Sequence, residues 1–476
     1  MDPKQVALLK ALIPKVPVMG KTALSHTFGF SEQSKYWDLR SALVIGVIRS
    51  FMIDSPPQSI GKLQKFSLRD PGIKGRIWVS KVTMPRPEED DIRQALFQAI
   101  EALKEPGEAA GGYKEPELMP VEAEWTGYRA GATEKSAELK IPEEQKYTEM
   151  MKEVASPTTV LYFHGGAFFL MDPSSHRPTC KRLAKLTKGR VFSIRYRLAP
   201  QHPFPSALLD ALVSYFTLLY PPPGSLHEAV KPEHIVFAGD SAGGNLCLVL
   251  LQTLLSFRRQ GLTIRWDSEE REVPLPAGVA VCSPWADVTH SSPSCENNAA
   301  FDYLPPPSTN ALIPKDTIWP VEPTRSSLYA DDALLLHPLV SPLAAKSWQG
   351  SCPLYIETGR ELLTDEDKHV AAKAAEQKVT VVFEEYEAMP HCFAMVLDGL
   401  PGGRVFFESW ASFISDVTHG KSVETSGKRI LAKSLKEEKV DVVRLRESSD
   451  EAVVERMRER VQMMSEKAGR SRSCRY

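Results

Sequence analysis

The chain has 476 residues, 42% hydrophobic and 25% charged, the make-up of an ordinary globular protein and not of a disordered or fibrous one. Its 58 basic and 60 acidic side chains leave a formal net charge of −2, so no broad basic field exists to attract nucleic acid or anionic lipid. Seven widely spaced cysteines (180, 247, 282, 295, 352, 392 and 474) form no CxxC pair and cannot all pair within one chain, which fits a reduced, intracellular setting.

The opening MDPKQVALLKALIPKVP is a poor signal-peptide core, since charges precede a short apolar run broken by proline. A cytoplasmic location is expected. Residues 42–53 form the longest apolar stretch, too short to span a bilayer and interrupted by Arg49, so no transmembrane segment is expected. Trp37, Leu39, Leu43, Val47 and Phe51 suggest an amphipathic helix within an N-terminal helical cap region, 1–75. Peripheral contact of that helix with a membrane or lipid droplet stays open.

Two alternating segments, 76–83 and 121–128, read as antiparallel edge strands. Between them, PRPEEDD and GEAAGGYKEPELMP read as a polar surface loop. From Thr158 onward, strands at 158–164, 190–196, 234–240, 277–283, 353–359 and 379–385 alternate with helical patterns near 174–188, 205–219, 243–260, 364–377 and 403–418. This predicts an α/β domain over 76–420 whose central sheet is mostly parallel, with helices on both faces. The proline-rich stretch 284–340 follows a strand end and reads as an insertion roofing the crevice; its Trp285, Phe301, Tyr303, Trp319, Leu328 and Tyr329 serve either a lipophilic substrate group or the roof's own core. Residues 421–476 form a charged tail with one amphipathic helix, where Ser448 and Glu451 suggest a capping box and Val453, Met457, Val461 and Met464 share a face.

Chemistry concentrates at the strand ends. GDSAG (239–243) places Ser241 between a buried strand and an apolar helix, the setting of a nucleophile elbow. HGGAFF (164–169) follows another strand, and N–H groups of Gly165, Gly166 and Ala167, with that of Ala242, can form an oxyanion hole; His164 is assigned to scaffolding. A serine needs a base and a carboxylate, in the chain order Ser, acid, His. His391 lies in the loop after the last of these strands, whereas His337, His369 and His419 are less well placed and His290 falls in the insertion. GRELLTDED offers Glu361, Asp365, Glu366 and Asp367; Glu361 is nearest the strand end, and Asp365 is the alternative acid, although a carboxylate there also serves as a helix cap.

Together with YRLAPQHPFPSALLDAL (196–212), SPWADVT (283–289), HPLVSPLA (337–344) and the EYEAMPHCF loop, these motifs resemble the hormone-sensitive-lipase-like family of α/β-hydrolases, its fungal-type esterases and lipases in particular, over about Val160 to Phe413. The resemblance implies the α/β-hydrolase fold. It implies hydrolysis of short- to medium-chain or other lipophilic esters by a Ser241–His391–Glu361 triad, with no metal and no organic cofactor, and a small lipophilic ester as partner. Family members usually carry Asp-Pro-Leu with a second Asp two residues on, and Glu361-Leu362-Leu363 before Asp365 puts Glu361 at the catalytic position. Ala167 replaces a frequent third glycine, a change suited to a negative φ. Two other uses of this fold are a non-catalytic small-molecule receptor, which in some relatives lacks the histidine, and an amidase or peptidase sharing the triad. Neither natural substrate nor oligomeric state follows from the residues.

Overall fold

A computed structural model describes residues 12–105, 112–309, 313–322 and 324–473, with side chains in the last stretch given to residue 467. Cys474, the opening MDPKQVALLKA and the GEAAG of the polar loop lie outside these residues. Strands β1 (Ile77–Met84), β2 (Val121–Tyr128), β3 (Thr159–Phe163), β4 (Arg190–Arg195), β5 (Ile235–Asp240), β6 (Ile264–Trp266), β7 (Glu269–Arg271), β8 (Gly278–Cys282), β9 (Leu354–Gly359), β10 (Val381–Tyr386), β11 (Ser426–Ile430) and β12 (Glu437–Lys439) follow in order. All but the β6–β7 hairpin join one ten-stranded sheet, ordered β1-β2-β4-β3-β5-β8-β9-β10-β11-β12. The sheet is parallel from β4 through β11 and antiparallel at both ends. Its central strands β3, β5, β8 and β9 are buried along their whole length, as expected of β-branched runs covered on both faces.

The helices are α1 (Val16–Thr27), α2 (Leu39–Met52), α3 (Ile60–Ser67), α4 (Asp91–Ala102), α5 (Glu143–Met151), α6 (Pro173–Thr187), α7 (Ser206–Leu219), α8 (Ala242–Gln260), α9 (Ser294–Asn297), α10 (Thr364–Glu376), α11 (Phe393–Val396), α12 (Pro401–Thr418) and α13 (Asp450–Ser473). Two hydrophobic clusters, one on each side of the sheet, form the core; α4, α7 and α8 feed one, and α6 and α12 feed the other. No helix among the described residues is long and apolar enough to cross a membrane.

Four local expectations need correction. The polar loop after β1 contains α4, which buries Ile92, Leu96, Phe97 and Ile100 on one face. Its acidic lead-in is part of the helix start, with Asp90 accepting from Arg93 and Gln94 at 2.7 Å each. The sheet does not stop near residue 420, because β11 adds in parallel to β10 and carries β12. The stripe proposed for the first amphipathic helix is not its buried face: Trp37 is buried ahead of α2, but Leu39 and Phe51 are exposed, and Ala42 and Ile45 turn inward. Asp38 caps that helix, accepting from Ser41 N at 2.7 Å, so the helical phase begins after Trp37.

The fourth correction concerns α13. Its first turn is capped by Ser449, whose Oγ accepts from Ala452 N at 3.3 Å, and Ser448 instead accepts from Arg456 at 3.2 Å. Val453 and Met457 are buried against the domain, with Val461 and Met464 packed beside them. The tail helix is thus docked, and Asp450 joins it to His369 and Lys373 of α10. The insertion holds little regular structure apart from α9 and short 3-10 turns. Phe301, Trp319 and Tyr329 are buried within it, whereas Trp285, Tyr303 and Leu328 stay partly exposed.

Candidate active site

The turn from β5 into α8 is as tight as a backbone allows. A Cβ on Gly243 would lie 2.0 Å from Phe163 O, so only glycine lets this helix start pass the neighbouring strand. Ser241 at the apex has φ +54° and ψ −121°, a conformation that costs a non-glycine residue free energy and persists only where surroundings impose it. Those surroundings are visible: Ser241 N donates to Cys282 O, and Ser241 O accepts from Asn245 N and Trp285 N, each at 3.0 Å. The side chain of Asn245 then donates to Trp285 O and Val340 O.

The HGGA strap lies directly over this turn. A Cβ on Gly165 would meet Asp240 Oδ2 at 2.3 Å, which excludes every larger residue. Asp240 is in turn fixed by Tyr162 Oη (2.6 Å) and His176 Nε2 (3.2 Å). Ala167 does not have the negative φ expected for a residue replacing glycine; it sits at +52°, followed by Phe168 at +63°. The strap imposes this on two side-chain-bearing residues by anchoring both flanks, since Gly166 O accepts from Phe169 and Leu170 N and Phe168 O accepts from Ala199 N. Among the described residues, the N–H groups of Gly166 and Ala167 donate to no acceptor. His164 stacks on Tyr196 at 4.2 Å and bonds Gly165 O at 2.7 Å. Burial, with repulsion from His176, pushes its imidazole down to about 3, so it holds the strap as an uncharged ring.

Glu361 and His391 meet. Glu361 follows β9, His391 follows β10, and His391 Nδ1 is hydrogen-bonded to Glu361 Oε2 with both side chains buried. The other carboxylate oxygen, Oε1, accepts from Ser283 Oγ, Thr358 Oγ1 (3.3 Å) and Gly359 N (3.1 Å). Burial alone would raise the Glu361 carboxyl, but the charge and hydrogen bond of His391 and the donors on Oε1 outweigh it and hold it below the ordinary value. For His391, burial opposes the charged form; the Cys392 thiol and the Glu361 carboxylate beside it reverse that and raise the imidazole. Asp365 points elsewhere, accepting from Ser294 N at 2.8 Å. Glu366 accepts from Ala286 and Asp287 N, and His369 is tied to Asp450. His337 bonds Ile100 O and His419 bonds Ser415 O. No hydrogen bond between Ser241 Oγ and His391 is present among the described residues; the serine stands at the carboxyl end of β5, on the same edge of the sheet and two strands from β9.

Two supporting residues escaped the sequence reading. Ser283, the residue after β8, donates to Glu361 and accepts from Cys392 N at 3.1 Å. Asp302, deep in the insertion, accepts from Leu362 N at 2.9 Å and His391 N at 3.4 Å, so one carboxylate spans both loops. The N-terminal helices reach the same place. Arg49 donates to the carbonyls of Ala299 and Asp302, and Trp37 Nε1 donates to Ala388 O at 2.6 Å, three residues before His391. Ser283 lies in the quoted SPWADVT motif; Asp302 carries no local signal.

The fold has counterparts among known proteins. A family model described as alpha/beta hydrolase fold matches residues 160–395. An acetyl-hydrolase of Streptomyces hygroscopicus is 30% identical over 261 residues, 55% of this chain and 76% of that protein. An esterase of Acinetobacter venetianus is 30% identical over 271 residues, 56% and 78% of the two chains. In fold, the chain is similar to the crystal structure of an esterase from the bacterial hormone-sensitive lipase family, with a TM-score of 0.52 at 21% identity, covering 80% of this chain and 99% of that one. The chain belongs to the α/β-hydrolase family, as its resemblance to the hormone-sensitive-lipase-like members implied.

Proposed function

We propose that this protein is a carboxylic-ester hydrolase that works through an acyl-enzyme on Ser241, with His391 as base and Glu361 as the carboxylate that orients it. The pairing of His391 with Glu361 beside the strained Ser241 turn carries the reading, because a buried histidine–carboxylate pair at that edge serves acyl transfer directly. The names of its relatives, acetyl-hydrolase and esterase, support the ester as the bond that is broken.

Ser241 Oγ attacks the carbonyl carbon while its proton passes to His391 Nε2. Glu361 keeps the other imidazole proton on Nδ1 and stabilises the cation that forms. The free N–H groups of Gly166 and Ala167, with that of Ala242 at the start of α8, receive the developing oxyanion. One such donor is worth about 3 kcal/mol of transition-state stabilisation. His391 then protonates the departing alkoxide, and water repeats the path on the acyl-enzyme. Tyr303 of the insertion, partly exposed with its ring 6.1 Å from that of His391, suits lipophilic esters of short to medium acyl chain. Turnover of p-nitrophenyl acetate and butyrate by the wild type, lost with labelling by a fluorophosphonate probe in Ser241→Ala, is the expected result. A wild type that neither turns over these esters nor takes the probe would overturn the reading.

A further inference from the structure

Two polar nitrogens near the candidate nucleophile are left without a partner. Trp285 Nε1 and His290 Nδ1 are both withdrawn from solvent, and neither makes a hydrogen bond among the described residues. A buried polar group in that condition costs free energy unless something else satisfies it. The two rings are neighbours, with centroids 5.2 Å apart and planes tilted by 31°, a looser approach than a close stack, and both residues stay partly exposed.

Both rings are held firmly. Trp285 is fastened to the Ser241 turn through its backbone N–H and its carbonyl, and its indole is flanked by Phe168 at 6.2 Å, which stacks on Tyr329 at 3.7 Å. His290 is held at φ +53°. The Asp287 carboxylate fixes this turn by accepting from Thr289 N (2.9 Å), Ser291 N (2.8 Å) and Ser291 Oγ (2.6 Å). Glu366 accepts from the two preceding amides, and Arg460 of α13 donates to Thr289 O at 3.3 Å. So many bonds enforcing a strained backbone, with the imidazole itself left unused, is the pattern of a side chain presented to a ligand.

We infer that Trp285 and His290 form a subsite for a hydroxyl group on the alcohol portion of the substrate, an inference that rests on the ester-hydrolase reading above. A hydroxyl oxygen accepts from the indole N–H and gives its own proton to the imidazole nitrogen, which satisfies both at once. Burial, offset in part by Asp287, lowers His290 to about 4, so the ring is neutral and able to accept. The alcohol side follows from position. Trp285 N donates to Ser241 O, and the chain running on from His290 holds the acid loop, Ser294 Oγ donating to Leu362 O at 2.7 Å and Asn298 to Glu361 O at 2.9 Å. The pair thus lies between the nucleophile turn and the Glu361–His391 pair, whose histidine hands a proton to the departing alcohol. The favoured substrates are then short-chain esters of diols and other hydroxylated alcohols.

Ethylene glycol monoacetate and propyl acetate test this directly, since they match in size and differ by a terminal hydroxyl against a methyl. The expected kcat/KM ratio in the wild type favours the glycol ester by about tenfold or more. Trp285→Phe and His290→Leu bring that ratio close to one, and His290→Asn, which tolerates the positive φ and keeps an acceptor, retains part of it. A wild-type ratio within twofold of one, or a ratio unmoved in both Trp285→Phe and His290→Leu, overturns the subsite. Failure of the wild type to cleave either ester or p-nitrophenyl acetate would instead count against the hydrolase reading.

Discussion

Glu361→Gln isolates the role of the acid because the structure dictates how the new amide must sit. Oε1 receives a backbone N–H from Gly359 and hydroxyls from Ser283 and Thr358, and only an oxygen can accept the amide proton there. The glutamine NH2 is therefore forced to the Oε2 position, facing His391 Nδ1. A donor there requires a bare Nδ1, which moves the imidazole proton to Nε2, the nitrogen that must be empty to take the Ser241 proton. In a serine-protease triad the equivalent loss of the correct tautomer costs about 10^4 in kcat, roughly 5.5 kcal/mol, and the same order is expected here. The packing is isosteric, so the thermal midpoint should change by only a few degrees. Initial rates with p-nitrophenyl acetate, alongside Asp365→Asn as a control expected to stay within about threefold of wild type, measure the difference. A Glu361→Gln enzyme within tenfold of wild type, or an Asp365→Asn enzyme that is the worse of the two, refutes the assignment.

The acid limb of the pH–rate profile should lie above the ordinary imidazole value of about 6.5, because a His391 raised by its neighbours carries a proton, and so cannot act as base, until the pH passes that higher value. An acid limb at or below the ordinary value in kcat/KM would contradict it. Gly165→Ala forces a methyl onto the Asp240 carboxylate, 2.3 Å away, and should cost about 1–3 kcal/mol of stability and about 10^2-fold in kcat as the strap shifts; urea titration and ester turnover read the two effects. Met457→Ala, which empties a fully buried position on α13, should cost about 2–5 kcal/mol in the same titration, whereas a tail merely resting on the surface would leave the midpoint unmoved.

The parts of the fold legible in the chain were those with local physics behind them. Runs such as HIVFAGD announce a fully buried parallel strand, and they fall where expected because no other element can cover so many β-branched residues. GDSAG and HGGA could be located because a strand and a helix flank them, and His391 by its place after β10. Helix α4 is hidden because the polar PRPEEDD and GEAAGGYKEPELMP segments on either side of it read as loop and mask the six inward residues between them. The sign of φ at Ala167 was illegible for another reason: the strap is anchored from afar, as where Ala199 N, 31 positions on, donates to Phe168 O, and not by the residue's own chemistry. Asp302 and Ser283 support the acid and base from distances of 60 and 78 residues along the chain, beyond any local pattern.

The Trp37–Ala388 hydrogen bond ties the N-terminal segment to the loop that carries His391, the proposed base, three residues further on. In engineering terms, the cap is not an exchangeable module. A graft from a relative that brought a different selectivity but no donor for the Ala388 carbonyl would loosen the loop that carries His391, and would trade turnover for specificity. Evolution faces the same coupling, so substrate range in this chain can drift most freely at positions such as Leu39 and Phe51, which belong to the cap without touching that joint.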